Sequence, residues 1–144
     1  QIEDHWLSSD SETREARAVL FEHIVTDGTP ESFFELAVLR IIGNEFYVFW
    51  HDLPGRDIVP VAGKQTLRNL LTPLGLWWTR LYHSDVKPTI KLDETGASVS
   101  LLTFSNWEGL YRRVLVFHLA FPHRLLHDEA QPILRHNRYT GVKF

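Results

Sequence analysis

Ser98–Arg124, SVSLLTFSNWEGLYRRVLVFHLAFPHR, is the stretch from which the fold of this chain is read. Val99, Leu101 and Thr103 alternate with Ser98, Ser100, Leu102 and Phe104. A period of two means a strand with one face buried and the other partly so. Ser105-Asn106-Trp107-Glu108-Gly109 is turn chemistry, and Tyr111–Phe121 follows as a long β-branched and aromatic run. Pro122 should end that run, because it has no N–H to donate to a ladder. The expected unit is a hairpin at the centre of an antiparallel sheet, with histidines just beyond its exit.

Working outward toward the N-terminus, Ser9-Asp10-Ser11-Glu12 has capping-box spacing. Ala16, Val19, Leu20 and Ile24 then form one helical stripe, with Asp27-Gly28 as its stop. Thr29-Pro30-Glu31 opens a second helix: a cap, a proline at the first helical position and an acid in the first turn. Residues 33–42 are apolar nearly all round, so periodicity alone fits a buried helix or a strand. The start signal favours the helix, ending at Gly43-Asn44, with a strand over Glu45–His51. Asp57–Val61 reads as a short strand, Gly63–Leu76 as a third helix and Trp77–His83 as extended. Pro88–Leu92 and Ala97–Phe104 form a hairpin around Asp93-Glu94-Thr95-Gly96, and His123–Asn137 reads as irregular before a terminal Tyr139–Phe144 segment. Helices first and strands afterwards predict a single α+β domain over residues 1–144, with 1–8 as an N-terminal arm. The N-terminal helices are expected on one face of a curved, mainly antiparallel sheet.

Composition narrows the function classes. A length of 144 residues is enough for a real core without staples. The formal charge of -3 argues against a general nucleic-acid binder, despite Arg112-Arg113 and Arg135/Arg138. With no cysteine there is no disulfide, thiolate metal site or cysteine nucleophile. No apolar run approaches the roughly 20 residues of a membrane helix. The first residues, Gln1-Ile2-Glu3-Asp4-His5, carry no signal-peptide pattern. The cytoplasm is the default expectation, with a targeting segment upstream of Gln1 left open. Gly-x-Ser-x-Gly, phosphate-loop and dinucleotide fingerprints are all missing, so the enzyme question leans toward no.

The candidate chemistry lies in histidines and aromatic rings. His123 and His127 are four apart, a spacing that on a helix suits two ligands of one zinc or iron, with Asp128 as a third donor. The glutamate that a metalloprotease helix needs directly after its first histidine is replaced by Arg124, and no cofactor is expected. For acid–base work the candidates are His118 and the pair His83/Asp85, which two-residue spacing puts on one face of an extended chain. Aromatic residues make up 12% of the chain. Trp50, Trp77, Trp78, Trp107, Tyr111 and Arg112 are the candidate contacts for a partner or ligand, as such side chains anchor interfaces. The expected function is a small non-catalytic protein-binding, assembly or regulatory module, acting on a protein partner or by self-association. The alternative is a ligand- or metal-binding protein or enzyme with a histidine-lined pocket between helices and sheet.

Overall fold

The computed structural model describes residues 20–45, 58–72, 85–137 and 141–143. Residues 20–22 close a helical segment, and the chain then runs through a loop to helix α1, Pro30–Glu45. The expected stop at Asp27-Gly28 therefore serves the next helix. Asp27 Oδ1 accepts from the Thr29 N–H (2.9 Å) and hydroxyl (2.6 Å), and Gly28 supplies the positive φ (81°) between them. Thr29 in turn caps α1, its Oγ1 accepting from Ser32 N–H at 3.2 Å. Cap, Pro30 and Glu31 act as the sequence predicts, and residues 33–42 are helical.

These bonds hold the Asp27 carboxyl down, from an ordinary 3.8 to about 2; the largest cause is the Thr29 hydroxyl, then the Thr29 N–H and the Ser32 hydroxyl. A carboxyl depressed on folding contributes stability above its unfolded pKa and loses it as pH falls through the folded one. The gap in urea midpoint between the wild type and Asp27→Ala is expected to be constant above about pH 5 and to narrow toward pH 2. A gap of the same size at both ends would remove the carboxylate from the cap.

The sheet is built on the predicted hairpin. Strands β3 (Gly96–Ser105) and β4 (Gly109–Phe117) pair antiparallel from Ala97↔Phe117 to Ser105↔Gly109. Two short strands share the outer edge of β3: β2 (Thr89–Asp93) along Gly96–Ser100 and β1 (Val59–Val61) along Leu102–Phe104. On the other side, β5 (Leu125–Asn137) pairs with β4, and β6 (Gly141–Lys143) pairs with the end of β5. The result is an open antiparallel α+β sheet. The strand after the central turn ends at Phe117, short of the expected Phe121, and the stretch 125–137 expected to be irregular is the longest strand.

The period of two along β3 decides where the helices lie. Ala97, Val99 and Leu101, with Leu115 and Phe117 of β4, form one row, and α1 covers it with Phe33, Leu36, Ala37 and Ile41. Leu102 and Phe104 point to the opposite face. They pack with Val61, Val86, Leu110 and Leu134 and with Leu67 and Leu71 of the second helix, α2 (Lys64–Leu71). The two described helices thus cover opposite faces of the sheet, where one face was expected. Both rows of β3 carry large apolar side chains, so each needs a cover. Phe21 lies against α1 where Gly43 leaves room: a Cβ at 43 would sit 2.6 Å from the ring.

The expected strand over Glu45–His51 is helical at Glu45 and otherwise lies outside the described residues, as do Leu74–Leu76 and Trp77–Ser84. Among the described residues no helix is long and apolar enough to cross a membrane.

Candidate functional site

Beyond Phe117 the chain turns through His118–Arg124 before entering β5, with a cis bond at Phe121-Pro122. This loop is tied from inside. The His118 N–H donates to the Arg124 carbonyl at 2.9 Å, and the Ala120 N–H donates to His118 Nδ1 at 3.2 Å. His123 is the hub. Its ring is buried, with Nδ1 3.1 Å from the His118 carbonyl and Nε2 3.1 Å from Thr26 Oγ1. A carbonyl can only accept, so the ring proton sits on Nδ1, and Nε2 accepts from the Thr26 hydroxyl and N–H. Phe33 of α1 meets the same ring edge-on at 5.2 Å, and Phe121 meets it at 6.2 Å from the other side of the loop.

His127 lies on β5 as an exposed residue paired with Val116, its Nε2 3.3 Å from Glu129 Oε2. Glu129 also accepts from the Gln131 amide, and the Gln131 and His127 bonds hold its carboxyl below the usual range. Asp128 takes Arg113 in a two-pronged pair, Nε–Oδ1 and Nη2–Oδ2 both 2.7 Å. His123, His127 and Asp128 therefore have three separate sets of partners, because residues 125–137 form a strand and the helical spacing does not apply. Among the described residues no three His, Asp or Glu side chains are grouped to hold a metal ion.

The remaining candidates fall elsewhere. His118 is exposed and, among the described residues, bonded within its own loop; Asp85 Oδ1 accepts from the Lys87 N–H at 3.2 Å, and His83 lies outside the described residues. Trp50, Trp77 and Trp78 also lie outside them. Trp107 and Tyr111 are half-buried at the far end of the β3–β4 hairpin, and the Trp107 backbone N–H donates to Ser105 Oγ. Arg112 donates to the Asp85 carbonyl at 2.6 Å.

What the residue-by-residue reading missed is an apolar corner around the His118–Arg124 loop. Phe121 is 56% exposed and Leu119 40%, on a loop whose backbone is fixed by the bonds above. Val25 (74%) precedes Thr26, which His123 holds, and Leu126 (54%) follows two residues after Arg124. Single exposed apolar residues are ordinary, but Leu119 and Phe121 stand two residues apart on one hydrogen-bonded loop, and Val25 and Leu126 are exposed on the segments that adjoin it. Arg124 and Glu22 stand at its rim, Nε to Oε1 3.5 Å. The signal was present in the sequence as Leu119-Ala120-Phe121, but it merged with the preceding strand.

No family model, curated protein or solved structure matches this chain.

Proposed function

We propose that this protein is a small non-catalytic assembly or regulatory module that binds a partner protein. The observation that carries the reading is the exposure of Leu119 and Phe121 on a loop held by hydrogen bonds, with Val25 and Leu126 exposed on the adjoining segments. Preordered apolar anchors lose little entropy on docking, which is what an interface needs. The ion pair of Arg124 and Glu22 beside them supplies a polar rim.

The test is site-specific photo-crosslinking in cells, with a benzoylphenylalanine at position 121 and, as a control, at Lys91, an exposed residue of β2. One defined protein adduct is expected at 121 and not at 91. Leu119→Asp should reduce its yield at least about fivefold, by placing a charge in the contact. Equal labelling at both positions, or an adduct indifferent to Leu119→Asp, would dispose of the reading.

A further inference from the structure

Arg40 stands apart among the charged side chains of this fold. It projects from the edge of α1 that faces Phe21, and its guanidinium lies over the Phe21 ring at 5.1 Å from the centroid. The side chain is half-buried, yet among the described residues its N–H groups make no hydrogen bond. Burial lowers its pKa, Asp128 raises it, Arg113 lowers it and Glu22 raises it. Both neighbouring carboxylates are committed to other arginines: Asp128 gives both oxygens to Arg113, and Glu22 faces Arg124. Among the described residues, three guanidinium groups thus share two carboxylates, leaving one positive charge and a set of planar donors without a hydrogen bond. A half-buried cation in that condition gains from any anion that reaches it.

Position gives the second argument. Glu22 connects this group to the His118–Arg124 loop, because it pairs with Arg124 and directly follows Phe21, the ring over which Arg40 lies. A ligand covering Phe121 and Leu119 reaches Arg40 along the surface that carries that ion pair.

We propose that Arg40, backed by Phe21 and flanked by Arg113, receives a carboxylate of the docked partner protein. This rests on the partner-binding reading above. A single excess charge matches a monoanion, whereas a phosphate dianion would face Asp128 and Glu22 with no second free cation among the described residues. The Arg40 fork meets the carboxylate side-on while the Phe21 face supports it from behind.

The experiment is an NMR titration of the arginine Nε–H resonances with sodium acetate, against sodium chloride at equal ionic strength. Arg40 is expected to shift saturably with acetate alone, and Arg112, already bound to the Asp85 carbonyl, to stay still. A response identical in chloride overturns the proposal, and so does tighter binding of inorganic phosphate than of acetate. Arg40→Gln is then placed in the crosslinking assay, with Arg40→Lys as the variant that keeps stem and charge but loses the fork. Each should weaken capture by the Phe121 position, the glutamine form at least about tenfold. Undiminished capture in both variants overturns the carboxylate contact and leaves the partner reading standing. Acetate binding at Arg40 without any adduct at 121 removes the partner and the proposal with it.

Discussion

Gly96→Ala is expected to cost roughly 2–5 kcal/mol, the sum of backbone strain and overpacking. Gly96 begins β3 with φ at 152°, a conformation that side-chain-bearing residues rarely adopt. A Cβ there would also sit 2.5 Å from the Phe117 carbonyl oxygen and 3.3 Å from Val116 Cγ1. The oxygen belongs to backbone, so relief requires β4 to move, and Phe117 is locked in the α1 core at 1% exposure. The neighbouring Asp93–Thr95 turn offers no slack, since Asp93 Oδ1 holds the Thr95 N–H at 2.8 Å. In a urea melt the midpoint should fall with the slope unchanged. A variant within about 0.5 kcal/mol of the wild type would mean that the close approach of β3 and β4 is not required.

Phe33→Ala carries a second large effect, about 3–5 kcal/mol for emptying a fully buried aromatic site. Phe33 has no exposed surface and joins α1 to the sheet. Its ring lies 6.4 Å from Phe117 and meets His123 edge-on at 5.2 Å. The loss should therefore extend past stability. With one wall of the His123 site gone, the His118–Arg124 loop loosens, and the His118 N–H should exchange faster than the β3–β4 ladder amides do. Leu39→Ala on the same helix, at 44% exposure, is the control and should stay within about 0.5 kcal/mol. If Phe33→Ala lowers stability while His118 protection falls no more than that of the ladder, the core and the loop are independent. The His118–Arg124 loop would then owe none of its order to the α1 core.

Short-range chemistry explains what was legible beforehand. Alternation along Ser98–Phe104 and the turn residues after it specify the β3–β4 hairpin, because a strand displays its two faces in successive residues. Thr29, Pro30 and Glu31 specify the start of α1, because capping is satisfied within a few residues. Strand β5 was not legible for a definite reason. Residues 126–133 are exposed on both faces, so the ladder with β4 holds them in place and leaves no burial pattern. Two register shifts against β4 leave Leu126 and Ile133 as extra residues, which breaks what alternation remained.

The candidate site divides along the same line. His118 and His123 could be picked out in the sequence, but their roles could not, and Phe121 read only as the end of a strand. His123 became a buried hub because Thr26, distant in the chain, meets its Nε2, and Phe33 closes the other side. Arg40 carries no distinguishing signal in the sequence, since an arginine on an apolar helix ordinarily extends into water. Only tertiary packing set it over Phe21 while Arg113 and Arg124 took the nearby carboxylates. By itself the sequence determined an α+β chain with a central hairpin and a capped helix, because local periodicity and capping carry that information. The tertiary structure alone decided that the helices take opposite faces and that the Arg40 guanidinium lies over Phe21, because both depend on contacts between residues far apart in the chain.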